Sequence, residues 1–159
     1  MRIMTVCLGN ICRSPAAEAV LHRKLAEAGL ADEVTVTSAG TADYHVGEDP
    51  YPLTLEVGRE RGYAFDSVGA QLTARDLEEA DLVLVMDESN YEDVVALTDR
   101  EDLQDKVHML GEFSSSVDTQ GVLDVPDPWQ RPRHDFVDMY EQIEDCVDGV
   151  VAAIKAGDL

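Results

Sequence analysis

Short apolar runs and longer amphipathic stretches alternate along this chain, and each kind predicts its own secondary structure. The short runs are β-branched or continuously apolar, as buried strands are. Strands are therefore predicted at residues 2–6, 34–38, 82–86 and 107–110. In the longer stretches, apolar residues recur at helical spacing. Helices are predicted at residues 15–28, 53–61, a short acidic stretch after Leu72 and Thr73, 89–97, and the stripe that runs from Phe136 to Ile154.

Helix ends and irregular segments are marked by serine, glycine and proline. Ser14 is predicted to cap the first helix, with Pro15 at its first position and Gly29 just beyond its end. Residues 39–52 are predicted to form a loop, and residues 114–129 are too rich in Ser, Asp, Gly and Pro for regular structure. Strands that alternate with helices predict an α/β fold, in which a parallel sheet is covered on both faces.

Length and charge narrow the class of protein. A chain of 159 residues, 45% of them hydrophobic, is expected to form a single domain over residues 1–159. The 33 acidic and 12 basic residues give a net charge of -21, which argues against binding nucleic acid. This charge is either a solvated acidic surface or an adaptation to a salty cytoplasm. The spread of acids along the chain and the scarcity of lysine favour the second interpretation.

Targeting signals and cysteines point to the cytoplasm. The apolar run at residues 3–8 is too short for a signal peptide, and no stretch has the length of a membrane span. Cys7, Cys12 and Cys146 do not suggest a secreted disulfide scaffold, and Cys146, beside the last helical stripe, is expected to pack in the core. The sequence therefore predicts a soluble cytoplasmic protein with no membrane interaction.

The stretch CLGNICRS, residues 7–14, carries the clearest chemistry. It lies between the first predicted strand and the first predicted helix, where backbone N–H groups and the helix dipole form an anion site. Gly9 and Asn10 tolerate the left-handed backbone that a curled loop needs. Arg13 is placed to grip two oxygens of a phosphoryl group through its guanidinium.

The same loop favours the thiolate form of Cys7, which is the reactive form. A nucleophile at the base of an anion site suggests attack on phosphorus and a phosphocysteine intermediate, with Ser14 donating a hydrogen bond to the sulfur. The alternative is that Cys7 is a small buried hydrophobe at a strand end. The Gly, Asn, Ser and Pro at their positions, between strand and helix, favour the catalytic interpretation.

A leaving alkoxide or phenoxide also needs a proton donor, which predicts a carboxylic acid on another loop. The segment VPDPWQ offers Asp127, fixed between Pro126 and Pro128. Asp124 is a nearby competitor without flanking prolines. Many Asp-Pro pairs are only turns, so the catalytic interpretation of Asp127 depends on the presence of the first motif, CLGNICRS.

With both motifs in place, the chain resembles low-molecular-weight protein tyrosine phosphatases over nearly its full length. The matching segments are TVCLGNICRSPAAEAVL, VTSAGT, YHVG, LVLVMDESN and VPDPW. The resemblance implies Cys7 as nucleophile, Arg13 as phosphate clamp, and Asp127 as general acid and then as the base that activates water. It also implies that Asn10, Ser14 and Ser38 brace the loop.

The resemblance further implies a three-layer, flavodoxin-like α/β fold with a four-stranded parallel sheet, and no metal or organic cofactor. Its partner would be a tyrosine-phosphorylated protein, with a bacterial-type tyrosine kinase as one candidate, and inorganic phosphate would be the product. The histidines show no metal-ligand spacing. Phosphate would be bound by the loop residues Leu8, Gly9, Asn10, Ile11, Cys12, Arg13 and Ser14.

Several positions depart from the family pattern. In DSVGAQLT, Ser67 stands where the family usually has a histidine that joins the bracing network, and Ala70 stands in place of an arginine. Ile11, Tyr44 and Trp129 are expected to wall the substrate cleft, Trp129 replacing a tyrosine. Because Ser67 replaces that histidine, the loop 7–14 is expected to be braced less rigidly than in the family.

Other activities share this loop. Arsenate reductases need further cysteines, and residues 67–97 contain none. Protein-arginine phosphatases tend to carry threonine where this chain has Ile11, so phosphotyrosine is favoured. An inactive anion-binding module is disfavoured because the nucleophile, clamp and acid are all present. Cys12 has two open roles: it packs in the core, or it traps oxidised Cys7 in a disulfide.

Overall fold

One parallel sheet organises the chain. The computed structural model describes residues 1–159. The strands are β1 (Arg2–Cys7), β2 (Thr35–Gly40), β3 (Leu82–Val85) and β4 (Val107–Met109). Their order is β2-β1-β3-β4 and all neighbours are parallel, with Ile3 of β1 in register with Val36 and Leu82. The predicted α/β fold with a four-stranded parallel sheet is confirmed.

Helices connect the strands, as parallel pairing requires. They are α1 (Arg13–Glu27), α2 (Pro52–Glu60), α3 (Ala74–Glu79), α4 (Glu88–Val95), α5 (Glu101–Gln104), α6 (Val117–Gln120) and α7 (Arg133–Ala156), with a 3₁₀ turn at Leu110–Phe113. The last helix is longer than its predicted apolar stripe by one turn at its start. No helix is long and apolar enough to cross a membrane.

Two apolar clusters cover the two faces of the sheet and give the three layers. The larger one joins α1, α2 and α7 to one face, and the predicted packing of Cys146 within it is confirmed. The smaller one joins α3, α4 and α5 to the other face through Leu77, Val94 and Leu103. Alternate residues of β3 point into opposite clusters, Leu84 into the larger and Val85 into the smaller.

The predicted cap of α1 is wrong. The helix begins at Arg13 after Cys12, which makes no side-chain capping bond, and Ser14 lies inside the first turn. Its hydroxyl contacts Cys7 and Asn10 instead, so it is not available to the helix end. The helix end at Gly29 is confirmed, with φ of 76° there.

The prediction of no regular structure at residues 114–129 is also wrong in part, because α6 lies within it. The short α5 and the 3₁₀ turn were not predicted either. Each is a single turn, which is too short for apolar residues to recur at helical spacing.

Stability is expected to rise with salt, because the net charge of -21 makes the folded surface repel itself. We predict that the melting temperature increases steadily between low and molar KCl. The matched control replaces the exposed, unpaired Asp32, Asp49 and Asp99 by asparagine, which should raise stability at low salt and weaken the salt response. A melting temperature independent of KCl would contradict the saline interpretation.

Candidate active site

The loop 8–12 turns sharply at the carboxyl end of β1. Asn10 has a φ of 57°, so the left-handed conformation predicted there is confirmed, whereas Gly9 does not share it. Glycine serves a different purpose at position 9. A Cβ there would lie 3.2 Å from Cδ2 of His45, so the absence of a side chain lets His45 approach the loop.

The sulfur of Cys7 receives hydrogen bonds from the loop. The backbone N–H of Asn10 donates to Sγ over 3.3 Å, and the hydroxyl of Ser14 lies 3.1 Å from the same atom. The side-chain amide of Asn10 donates to the Ser14 oxygen over 2.7 Å. Since that oxygen accepts from Asn10, its own proton is free to point at the sulfur, an arrangement that stabilises a thiolate.

A chain of polar side chains braces this loop from behind. The amide of Asn10 donates to Ser38 Oγ over 3.1 Å, and Ser38 donates to Glu18 Oε1 over 2.6 Å. The backbone N–H of Ala70 donates to Asn10 Oδ1 over 3.0 Å. Ser67 joins the same network by donating to Glu18 Oε1 over 3.0 Å. The position that departs from the family pattern therefore still takes part in the bracing.

Arg13 is buried and held between two carboxylates. Its Nη1 donates to Asp87 Oδ2 over 2.6 Å and to the backbone oxygen of Val125 over 3.0 Å, while Nη2 lies 3.8 Å from Asp127 Oδ2. Burial alone lowers the pKa of the guanidinium, but Cys7, Asp87 and Asp127 outweigh it and raise the pKa above its ordinary value. Arg13 is thus a fixed positive charge beside the sulfur.

Sequence reasoning did not identify Asp87 or Glu18 as members of the site. Asp87 follows the buried strand β3 after one residue, which places it at the ligand-binding edge of the sheet. Its position after a strand was therefore an available signal. Glu18 carries no such sequence signal, because an acidic residue on the first helix is typical of an ordinary solvent-exposed position.

Asp127 reaches the same cavity from the segment between α6 and α7. Its Oδ1 accepts the backbone N–H of Trp129 over 3.1 Å, and its side chain is 44% exposed. It is therefore oriented by its own loop and accessible to a ligand. Asp124, the competitor considered from sequence, does not line the cavity.

The cavity itself encloses about 180 Å³. Three predicted wall residues, Ile11, Tyr44 and Trp129, line it, and so does His45, which pairs with Glu48 over 2.5 Å. Tyr44 is 70% exposed and Trp129 is 45% exposed, so two aromatic rings stand at the rim. The other lining residues are Cys7, Gly9, Cys12, Arg13 and Asp127.

Cys12 is a buried free thiol in the same loop. Burial raises its pKa to about 12, and the negative charge of Asp127 adds to the effect. The thiol is thus neutral at ordinary pH. No group of three or more His, Cys, Asp or Glu side chains is close enough to hold a metal ion.

Together these groups form a candidate anion site with a thiol at its base. Backbone and hydroxyl donors face the sulfur, a guanidinium stands beside it, and a carboxyl group lies on the opposite loop. Such a set can hold a tetrahedral oxyanion, attack its central atom and protonate a leaving group. Of the residues predicted from sequence, Cys7, Gly9, Ile11, Cys12, Arg13, Tyr44, Asp127 and Trp129 line this cavity, whereas Leu8, Asn10, Ser14 and Ser38 do not.

Comparisons with known proteins agree with this geometry. The model of the family "Low molecular weight phosphotyrosine protein phosphatase" matches residues 2–158. A low molecular weight protein-tyrosine-phosphatase from Streptomyces coelicolor is 36% identical over 154 residues, covering 97% of this chain and 93% of that protein.

Solved structures show the same fold. A protein tyrosine phosphatase from Entamoeba histolytica superimposes with a TM-score of 0.93 at 31% identity, covering 100% of this chain and 99% of that one. The YwlE arginine phosphatase, solved as a mutant with a phosphorylated active-site serine, has a TM-score of 0.86 at 28% identity and covers 98% and 96% of the two chains. The protein described here belongs to the low molecular weight phosphotyrosine protein phosphatase family.

Proposed function

We propose that this protein hydrolyses phosphotyrosine in protein substrates through a phosphocysteine intermediate on Cys7. The observation that carries the proposal is that Cys7, Arg13 and Asp127 line a single cavity at the carboxyl edge of the sheet. Each supplies one of the functions that ester hydrolysis at phosphorus requires: a nucleophile, a positive clamp and a proton donor.

In the first half-reaction, Cys7 Sγ attacks phosphorus as the bond to the tyrosine oxygen breaks. Arg13 and the loop residues 8–14 hold the phosphoryl oxygens as charge builds on them. Asp127 gives its proton to the leaving oxygen, and tyrosine departs. The hydrogen bonds from Asn10 and Ser14 stabilise the sulfur both as attacking anion and as later leaving group.

In the second half-reaction, Asp127 is a carboxylate and takes a proton from water. The resulting hydroxide attacks phosphorus, the bond between phosphorus and sulfur breaks, and inorganic phosphate leaves. The residue thereby returns to its protonated form. The YwlE mutant, with its phosphorylated active-site serine, supports the proposal that Cys7 carries the phosphoryl group in this chain.

The walls of the cavity favour an aromatic ester. Tyr44 and Trp129 stand exposed at its rim, where they can flank a phenyl ring, and Ile11 adds an apolar surface. A phosphoarginine side chain carries a polar guanidinium at the same depth, which an apolar Ile11 does not bind. We therefore place phosphotyrosine ahead of phosphoarginine as substrate.

One substrate comparison tests this choice. Phosphotyrosine, phosphoserine and phosphoarginine peptides are assayed side by side, at low and high KCl, by release of inorganic phosphate. We expect the highest kcat/KM for phosphotyrosine at both salt levels. Faster turnover of phosphoarginine would make the protein an arginine phosphatase, and binding of phosphate without turnover of any peptide would make it a binding module.

Asp127→Asn should slow turnover most for poor leaving groups. Loss of a general acid costs roughly 10²- to 10⁴-fold where the leaving oxygen needs a proton, and little where it leaves readily as an anion. The measurement is kcat/KM for a series of aryl phosphates of graded leaving-group pKa. Asp124→Asn is the matched control, from the same loop but outside the cavity. An equal loss across the series would refute the acid role.

A further inference from the structure

A second cavity lies beside the edge strand β2, away from the catalytic cavity. It encloses about 540 Å³ and is lined by residues of β1, β2, α1, α3 and the segment 67–71. Ser67 and Ala70 leave it open because their side chains are small. Ile3, Met4 and Ala39 give it an apolar part.

Glu18 is the unusual member of this lining. The residue is only 6% exposed, and its Oε1 accepts hydrogen bonds from Ser38 and Ser67. No hydrogen bond reaches its Oε2, and Glu18 is one of the residues that line the cavity. No basic side chain pairs with it. A carboxylate so far from water is unfavourable without a compensating positive charge.

The other charged groups of the lining do not supply that compensation. Arg2 is its only basic residue and lies 3.6 Å from Glu79. Glu79 is also paired with Arg75 over 2.9 Å. Asp76 accepts the backbone N–H of Thr73 at the start of α3. The local charge of the cavity is therefore negative, and Glu18 is its buried carboxylate, with hydrogen bonds from two serines but no ion pair.

We propose that this cavity binds a small organic cation with a guanidinium head, which donates to Oε2 of Glu18. A guanidinium matches a carboxylate through paired N–H donors and is weakly hydrated, so it tolerates partial burial. The volume and apolar lining suit a short alkyl group attached to it. A divalent metal ion fits poorly, because no group of three ligating side chains is present.

The cavity connects to the nucleophile through oriented hydrogen bonds. Ser38 donates to Glu18, and Asn10 donates to both Ser38 and Ser14. This leaves the Ser14 proton directed at Cys7 Sγ. The Glu18 carboxylate accepts the proton of Ser38, which leaves the Ser38 oxygen to accept from the amide of Asn10. A cation bound to Oε2 would hold the Glu18 side chain in place, and with it the hydrogen bonds through Ser38 and Asn10, which makes Glu18 a positioning residue.

Binding is tested on the intact protein with methylguanidinium, and with neutral methylurea as a control of the same shape. Calorimetry at constant ionic strength should show saturable millimolar binding of methylguanidinium and none of methylurea. Glu18→Gln should abolish it, whereas Glu79→Gln, in the same lining, should retain it. Absence of saturable binding, or equal binding by the Glu18 variant, would overturn the site.

Two substitutions at the exposed Ala70 distinguish the effect of filling the cavity from the effect of adding a positive charge to it. Ala70→Leu should fill the cavity and block methylguanidinium without supplying a charge. Ala70→Arg should block it too, but by placing a tethered guanidinium in the site, and should raise the melting temperature relative to Ala70→Leu. Both variants leave the carboxylate intact. Continued binding by either variant would place the ligand elsewhere and refute the assignment.

The link to the nucleophile is measured by turnover, and this arm alone rests on the proposed function. Saturating methylguanidinium should raise kcat for p-nitrophenyl phosphate roughly three- to tenfold, the worth of one ordinary hydrogen bond. Ala70→Arg should show this gain without ligand. An inactive protein that still binds methylguanidinium would refute the phosphatase proposal while supporting the site. Binding to an active protein with unchanged kcat would refute the coupling.

Discussion

Cys7→Ser is expected to reduce turnover of p-nitrophenyl phosphate by at least about 10⁴-fold. A serine hydroxyl does not ionise near neutral pH, so the hydrogen bonds that now reach the Cys7 sulfur would face a neutral oxygen. The clamp of Arg13 is untouched by the change, and the protein should still bind inorganic phosphate. Initial rates and phosphate calorimetry on the same preparation check both parts.

Cys12→Ser is the matched control for this substitution. Cys12 lies in the same loop and the same cavity, but its buried thiol is neutral because burial raises its pKa to about 12. We expect this variant to keep most of its turnover, with a lower melting temperature because a hydroxyl is buried among apolar neighbours. If both variants lost activity equally while remaining folded, Cys7 would have no special role.

The elements that the sequence predicted correctly are those with strong local signals. The strand at Leu82–Val85 is continuously apolar, and the stripe of α7 spans many turns, so neither depends on distant contacts. The left-handed Asn10 likewise follows from the chemistry of its own side chain. Local sequence is enough for such features because the physical cause lies within them.

The parts that sequence could not supply are tertiary. Asp87 contacts Arg13 from 74 positions away, and Ser67 contacts Glu18 from 49 positions away. Neither pairing has a local signature, since each arises only when the sheet brings separate loops together. The wrong cap at Ser14 has the same origin: the hydroxyl that suits a helix end is used by Cys7 and Asn10.

The proposed binding of a phosphate anion by a protein of charge -21 requires a local reversal of the electrostatic field. The overall field repels a phosphate dianion at long range, and salt weakens that repulsion. At short range the sign is reversed by one buried guanidinium and the donors of the loop. Asp87 holds this guanidinium in place but partly neutralises it, so the two acidic neighbours of Arg13 set how much positive charge remains for a ligand.

Arg13→Ala should therefore lower kcat/KM for aryl phosphates by about 10³-fold or more and remove measurable phosphate binding. The substitution deletes the positive charge beside the sulfur and leaves Asp87 and Asp127 facing the cavity without compensation. Arg13→Lys keeps a charge but loses the paired donors, and it should recover only part of the loss. Steady-state kinetics and phosphate inhibition constants measure the two effects.

In the same measurements, Asp87→Asn distinguishes two roles of Asp87: holding the Arg13 guanidinium in place and partly neutralising its charge. The single amide oxygen can still accept from Arg13 Nη1 if the bond that Asp87 Oδ1 accepts from the Asn90 N–H at the start of α4 is given up. The guanidinium should then stay in place while losing one neutralising neighbour. Phosphate should then bind at least as tightly as in the parent protein, with kcat/KM falling far less than in Arg13→Ala. If Asp87→Asn and Arg13→Ala had equal effects on phosphate binding, the guanidinium would not be the group that reverses the sign of the field.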